Sequence, residues 1–512
     1  MIPLSTWSEG YVTDISYTTN FFHHQVPDFL NFCLLLYGFE PLDLNKEFTY
    51  CELGCGKGLT SLIMAILYPH ANFYAIDFNP EHIFFAEKIK EKIGLNNIKF
   101  IEISFKEMVD NRIDEFPEFD FITLHGVFSW INHENRLKIV EFANRKLKPG
   151  GVLNVSYNDM CGWFMMIPFQ RFIVDFAKLF PEVISVRKVE TAMKTIKRIQ
   201  EVGGLYFNIP PLKKRLHKMD EQEINYIVHE YLNEDWQPLF FTDVLSYMQK
   251  AKLKYVGMAD PIWKFEKIVF SEAQLKELNK LRSAFLREMV KDYILNLSFR
   301  KDIFVKGGSF LPPSLLQKKI QEEVKFILNQ PKDEKIYKIE IPYSNKNVNL
   351  KPEIVDKIVD LLEDGKKNLK ELNDEINIDP NELLSIIVML VHKKIVDPVF
   401  ETDVNKELGV KFNRFVAKDA RYKNELRFFI LPETKSAVFV DIIKRLVYDA
   451  VVNEDFNDIE KVKEHVIGYL EEDIEKSLEG KGKQNLDEKF IDETISLCIE
   501  EDFPFWERLG AL

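Results

Sequence analysis

Cysteine is scarce, with five in 512 residues at positions 33, 51, 55, 161 and 498. None forms a Cys-x-x-Cys unit, so no zinc ribbon or disulfide framework is indicated, and a reducing compartment suits the chain. Cys51 and Cys55 read as small buried packing residues. The His23-His24 pair lacks an acidic or cysteine partner at ligand spacing, so a surface or substrate-facing pair is expected there and no metal. Positive charge is also short: 68 Lys and Arg stand against 81 Asp and Glu, a formal net charge of −13. A general nucleic-acid binder needs clustered Lys and Arg to neutralise phosphates, so that class is excluded and a basic partner fits better. Apolar runs long enough to cross a bilayer are missing. The opening nine residues, from Met1 to Glu9, carry neither a basic region nor an apolar one, which gives the expectation of a cytoplasmic protein without membrane insertion.

What the chain does have is a sizeable apolar content, 46% of residues, enough for two or three domains. Its most informative segment runs from Thr49 to Thr60, where Glu52 is followed by glycines at 54, 56 and 58. The apolar run before it reads as a buried strand and Leu59 to Tyr68 as a helix. The glycines therefore sit in a strand-to-helix turn, where a missing Cβ lets backbone approach a ligand. A dinucleotide fingerprint would place its third glycine at 59, which is Leu59. Phe73 to Ile76 is a second apolar strand ending in Asp77, a carboxylate suited to accept from ribose hydroxyls. Lys99 to Ile101 makes a third strand, followed by Ser104 and Phe105. A fourth, Phe119 to Leu124, runs into His125-Gly126-Val127-Phe128-Ser129-Trp130. Asn135 to Leu147 has helical spacing, Lys148-Pro149-Gly150-Gly151 stops it, and Val152 to Ser156 is a fifth strand. Such alternation predicts an α/β fold with a parallel, doubly wound sheet and a ligand beyond the strands' carboxyl ends.

The Glu-x-Gly-x-Gly-x-Gly pattern resembles motif I of class I S-adenosylmethionine-dependent methyltransferases. The Lys-Pro-Gly-Gly hinge is similar to theirs as well. A more specific likeness begins upstream, in Gly10-Tyr11-Val12-Thr13-Asp14-Ile15-Ser16-Tyr17-Thr18-Thr19-Asn20-Phe21-Phe22. With Tyr157-Asn158, Gly162-Trp163, His229-Glu230-Tyr231-Leu232, Asp292-Tyr293, Phe299 to Phe304 and Leu426 to Pro432, it resembles bacterial protein-lysine methyltransferases that carry a methyltransferase regulatory domain. The best-known members modify outer-membrane proteins of obligate intracellular bacteria. The resemblance implies a Rossmann-like core with a mostly parallel seven-stranded sheet over residues 1–310, a helical insertion at 159–238, a regulatory, winged-helix-like domain at 311–420 and a helical C-terminal domain at 421–512. The winged-helix reading rests on helices at 352–362, 369–376 and 381–394 and a strand at 395–400. The third helix is nearly uncharged, which suits domain packing or protein contact better than DNA reading.

The resemblance also implies S-adenosylmethionine as cofactor, held by Glu52, Gly54, Cys55, Gly56, Gly58 and Asp77, with Phe78, Ser104, Phe105 and His125 completing its site. Methyl transfer from a sulfonium is an in-line displacement, so the protein mainly positions the reactants and excludes water. A lysine acceptor must first lose a proton, at a cost of roughly 4 to 5 kcal/mol at pH 7. An aromatic channel would lower that cost by desolvating the ammonium, and Tyr17, Phe21, Phe128, Trp130, Tyr157 and Trp163 are its candidates. His125 and His229 are candidates for a discrete base. The expected partner is a lysine-bearing polypeptide and not a nucleic acid, and a homodimer is allowed. Two rival readings stay open. One is a small-molecule methyltransferase, favoured if the insertion closes as a lid; the other is a non-enzymatic winged-helix regulator.

Overall fold

The computed structural model describes residues 11–12, 14–15, 18–180, 183–219, 224–331, 334–344, 346–422, 424–477 and 488–512. Tyr17 and the Gly480 to Lys483 break lie outside the described residues. The core is a seven-stranded sheet of β1 (Thr49–Leu53), β2 (Asn72–Asp77), β3 (Ile98–Glu102), β4 (Phe119–Leu124), β5 (Leu147–Asn158), β6 (Leu253–Met258) and β7 (Phe299–Lys306), in the order β3-β2-β1-β4-β5-β7-β6. The first five strands pair in parallel, and β7 runs antiparallel to both β5 and β6. This is the mostly parallel Rossmann-like sheet expected. β1 is buried along Tyr50 to Leu53 because helices cover both faces of the sheet. On one face lie α1 (Pro27–Leu36), α2 (Leu59–Leu67) and α3 (Pro80–Ile93); on the other lie α4 (Phe105–Asp110), α5 (His133–Lys146) and, after the insertion, α11 (Phe241–Lys250). The Lys-Pro-Gly-Gly hinge does not sit between helix and strand as expected. It is drawn into the start of β5, where pairing with β4 shifts register and Gly150 takes φ +83°.

Between β5 and α11 come α6 (Met160–Trp163), α7 (Ile167–Lys178), α8 (Ser185–Glu201), α9 (Pro210–Met219) and α10 (Ile224–Tyr231). They close around their own apolar cluster, which includes Trp163, Phe169, Ile173, Val189 and Leu216. Further along, helices Pro352–Glu363, Leu369–Ile376 and Pro380–His392 stand beside a three-stranded antiparallel sheet. Its middle strand, Lys325–Leu328, precedes the first of these helices and pairs with both Lys367–Asn368 and Val396–Val399. The helix Pro380–His392 buries Leu383, Ile386, Ile387 and Val388 in the cluster it shares with α1 and α2. The final segment is mainly helical, as expected, in Ile442–Tyr448, Ile459–Ser477, Glu488–Leu497 and Phe503–Arg508, and it also carries a hairpin of Phe428–Leu431 and Ser436–Phe439 turned by Lys435 at φ +50°. Aromatic and branched side chains in both arms favour strand over helix.

Several charges are locked inside. Arg300 on β7 is fully buried, bonded through Nε to Asp302 at 3.1 Å and through Nη1 to Asp292, with its guanidinium 4.5 Å from the Phe241 ring centre. Tyr157 on β5 donates to Asp302 at 2.6 Å, so the antiparallel end of the sheet closes around one cation. Burial raises Asp302 and Asp292, the latter to about 8, and Arg300 opposes both. His23 and His24 are not a surface pair: His24 is buried, and His23 Nε2 lies 2.8 Å from the buried Asp397 Oδ1. The chain after Phe22 turns into the molecule because α1 buries every one of its residues.

Removing Arg300 would strand two buried carboxylates. An R300A variant is expected to lose about 3–5 kcal/mol of stability in urea unfolding. A midpoint equal to that of the wild type contradicts a structural role for the cluster.

Candidate active site

The turn after β1 is fixed by backbone conformations that only glycine adopts freely. Gly54 has φ +72° and Gly58 φ +71°. A Cβ on Gly54 would come within 2.4 Å of Val127 Cγ2, and one on Gly58 within 2.4 Å of Phe100 Cε1. The amides of Gly54 and Cys55 donate to Ile76 O at 2.8 and 2.9 Å, and Gly56 N donates to Asp77 Oδ2 at 2.9 Å. Asp77 Oδ1 accepts from Asn79 N at 2.9 Å and faces His82 Nδ1 at 3.2 Å. Three of the roughly four acceptor directions of this carboxylate are thus used within the protein. One remains for a ligand.

The loop opens onto a cavity of about 1140 Å³ of empty space, counted out to its solvent-open mouth. Gly54, Cys55, Gly56, Gly58, Asp77 and Phe78 line it, as do Ser104, Phe105, His125 and Trp130. The Ser104 hydroxyl caps α4 by accepting from Glu107 N, which leaves its own proton to donate. Over the cavity runs the segment Thr18 to Phe22. Phe22 N donates to Thr60 Oγ1 at 3.1 Å, Thr19 donates to Glu425 O, and the Phe22 ring lies 3.7 Å from the His125 ring. Lys57 of the glycine loop reaches Glu425 at 3.5 Å, so the C-terminal segment touches both roof and floor.

Glu52 is not on the cavity wall. It is 2% exposed behind the loop, where Ser61 donates to it. Burial pushes its pKa up to about 7, Ser61 draws it down and Asp77 raises it further. A cationic ligand in the loop would meet this charge electrostatically and not by direct contact. His125 accepts or donates at Nδ1 to His24 Nε2, 3.1 Å away, with Ser156 Oγ at 3.0 Å. Burial, aided by Lys301, lowers its pKa to about 3. An imidazole that holds a proton so weakly is a poor acceptor for one from an ammonium, so of the two candidate histidines His125 stands here as a neutral hydrogen-bonding wall residue.

The aromatic channel is smaller than the sequence suggested. Trp130 lines the cavity, but Tyr157 is buried against Asp302, Phe128 is buried against Tyr247, and Phe21 lies beside Phe428. Trp163 is also buried, donating to Ser298 O at 2.8 Å with Arg215 stacked on its ring at 3.7 Å. Tyr157, Phe128, Phe21 and Trp163 carry rings large enough for a channel, yet the core, the insertion and the C-terminal hairpin need that area for packing. A second, smaller recess of about 240 Å³ shares Tyr11, Gly126 and Trp130 with the main cavity. Its remaining lining is Tyr226, His229 and Glu230 of α10. The sequence placed His229 among the candidates and missed Glu230, although that residue stood in the same quoted motif. The loop after β4 is held in place by Arg136 of α5, which donates to Phe128 O at 2.8 Å and to Gln237 Oε1 at 2.7 Å. Asn233 binds Trp130 O at 3.1 Å. Asn132, Asn135 and Asp235 add polar lining, with no signal in the sequence beyond their place after β4 and near the end of the insertion.

A seven-stranded sheet of this order, with a glycine loop at β1 and a carboxylate ending β2, defines a class I methyltransferase. A methyltransferase-domain model matches residues 44–224, and a predicted methyltransferase regulatory domain matches 223–306, the stretch that carries α11, β6 and β7. An uncharacterized protein of Synechocystis is 33% identical over 450 residues, covering 86% of this chain and 87% of that one. An uncharacterized protein of Rickettsia prowazekii is 26% identical over 281 residues, 54% of this chain and 48% of its own. The structure of PKMT2 from Rickettsia typhi in complex with AdoHcy superposes with a TM-score of 0.69 at 21% identity, over 97% of this chain and 99% of that one. The chain belongs to the S-adenosylmethionine-dependent methyltransferases that carry a methyltransferase regulatory domain.

Two outcomes test the site. D77A should weaken S-adenosylmethionine binding at least tenfold in calorimetry, since a hydrogen bond to a charged group contributes about 1.5–3 kcal/mol and the Gly56 anchor is lost with it. Unchanged affinity would overturn the placement. For Glu52, a folded pKa of about 7 lies above the ordinary 4.5, so its stabilisation is full below pH 4.5 and is lost as pH rises through 7. E52Q keeps an acceptor for Ser61 without the charge. It should be roughly 2–3 kcal/mol more stable than wild type at pH 8 in the absence of cofactor, with a shallower fall between pH 5 and 8. Parallel pH profiles for the two proteins would refute the buried-carboxylate account.

Proposed function

We propose that the protein is a protein-lysine N-methyltransferase acting on bacterial outer-membrane proteins. The observation that carries this reading is the pair of joined recesses. A cavity walled by the glycine loop and Asp77 meets, across Trp130 and Tyr11, a smaller one that holds a buried carboxylate among aromatic rings. Rings and a carboxylate are complementary to an alkylammonium. The solvent-open mouth suits an acceptor carried on a chain. The motif resemblance to lysine methyltransferases and the whole-length likeness to PKMT2 point the same way.

In this reading the backbone of Gly54 to Gly58 cradles the amino-acid part of S-adenosylmethionine, Asp77 takes the ribose, and Phe78, Ser104 and Phe105 border the adenine. The loop fits that group, because Gly54, Gly56 and Gly58 present backbone to the cavity and Asp77 keeps one acceptor direction. When bound, the cofactor supplies an electrophilic methyl on a sulfonium. Trp130 and Tyr11 orient the acceptor and keep water out. The domain division into a core of 1–310 with its insertion, a middle segment of 311–420 and a C-terminal segment of 421–512 assigns substrate docking to the parts after the core.

The test is methylation of a denatured bacterial outer-membrane protein, read by mass spectrometry. Methyl groups are expected on lysine, at a rate that rises with pH as more amine loses its proton. Truncation at Pro312 should impair this transfer more than cofactor binding. Turnover of a small-molecule acceptor with no transfer to any lysine-containing protein would replace this reading with the small-molecule one.

A further inference from the structure

The carboxylate of the smaller recess stands so far only as a charge that complements an ammonium. Glu230 is 8% exposed, lies on α10 and shares the recess with Tyr11, Trp130, Tyr226 and His229, next to the cofactor cavity. Few reasons exist to bury a carboxylate there. A structural ion pair is the ordinary one, yet Glu230 has none within 4 Å among the described residues; the cation that acts on it electrostatically is Arg215, which stacks on Trp163. Asn158, at the end of β5, is its other favourable neighbour. A carboxylate enclosed by rings, without a cation in ion-pair contact and facing a ligand cavity is built to receive a cation from outside.

We propose that Glu230 is the floor of an alkylammonium subsite and accepts the proton that the acceptor amine must lose. This rests on the lysine reading above and adds the residue that activates the substrate. The amine arrives as R–NH3⁺ and pairs with the ionised carboxylate between the Trp130 and Tyr11 rings. One N–H bond breaks, its electron pair stays on nitrogen, and the proton forms an O–H bond on Glu230. The freed pair points toward the joined cavity. After transfer, Glu230 returns the proton to solvent.

Burial places Glu230 at about 7, with Arg215 and Asn158 holding it from going higher. That value sits far above the ordinary glutamate and closer to the amine, so the proton moves over a smaller gap than it would to a solvated carboxylate. The other titratable groups facing it are His229 and Tyr231 of its own helix, Tyr226 one turn earlier, and Tyr11 from the N-terminal segment. Burial raises Tyr231 to about 12, so that phenol stays neutral through the working range. His125, across the shared wall at Gly126, is neutral as well. Glu52 behind the cofactor loop is raised to about 7 as well and His229 shares the recess, so the E230Q comparison is what assigns a limb near pH 7 to Glu230.

The test compares wild type with E230Q in calorimetry and kinetics. n-Butylammonium is the binding probe, titrated into full-length protein saturated with S-adenosylhomocysteine. The wild type should bind it with release of about half a proton at pH 7, read from buffers of different ionisation heat, because a group of pKa about 7 is half protonated there. E230Q should bind it at least tenfold more weakly, release no proton and keep wild-type affinity for S-adenosylmethionine. With a lysine peptide, E230Q should be about 100-fold slower and lose the limb near pH 7. Equal n-butylammonium affinity and an unchanged rate profile in E230Q would overturn the proposal.

If E230Q fails to bind cofactor, the wild type decides alone, with a peptide carrying aminoethylcysteine, a less basic amine, in place of lysine. A limb that stays near pH 7 for both amines supports Glu230; a limb that moves with the amine refutes it. Should wild type methylate no lysine at all, the lysine reading falls, and the n-butylammonium result still decides whether the recess is an ammonium site.

Discussion

The structure depends on one backbone junction, the tie between the glycine loop after β1 and the carboxyl end of β2. Parallel register sets Leu53 beside Ile76, so the next three amides of the loop fall on Ile76 O and the Asp77 carboxylate. Everything nearby is positioned from there. Val127 and Phe100 close on the loop to distances that exclude any Cβ, α3 starts where Asn79 follows Asp77, and Thr60 at the head of α2 receives the N-terminal segment. A carboxylate that organises three protein donors and still faces a cavity serves structure and ligand together.

Around that junction the charged interior is arranged by burial more than by pairing. Glu52, Glu230 and Asp292 are all raised, to about 7, 7 and 8, because low-dielectric surroundings disfavour the anion. Their contexts separate their roles. Asp292 has Arg300 and belongs to the frame; Glu52 has Ser61 and lies behind the loop; Glu230 borders a recess. The two glutamates sit on different sides of the joined cavities, one suited to a ligand's cationic end and the other to an incoming amine.

The parts after the sheet are fastened to it. Lys435 and Phe400 N both reach Asp28 on α1, His392 faces Asp260 at 3.0 Å, and Glu425 touches Lys57 and Thr19 at the cavity. One apolar cluster runs from α1 through the helix Pro380–His392 to the C-terminal Leu509. The nearly uncharged third helix of the middle segment thus spends its apolar face on internal packing.

The sequence by itself determined the elements whose signal is local. Period-two and apolar runs set β1 to β5, the glycine spacing set the cofactor loop, and Asp77 was placed by its position one residue beyond an apolar strand. Such features survive because backbone sterics and strand periodicity act over a few residues. Tertiary structure decided what depends on contacts between distant segments. Phe21, Phe128, Tyr157 and Trp163 looked like channel residues in the chain, and only tertiary packing against the C-terminal hairpin, α11, β7 and the insertion showed that three of them fill cores and one seals Asp302. The sequence left His125 open as a base, and burial beside His24 and Lys301 makes it a neutral wall. Glu230 was one letter in a motif until α10 folded over the loop after β4 and brought it to Trp130. Burial and charge environment are sums over the whole fold, and no window of sequence contains them.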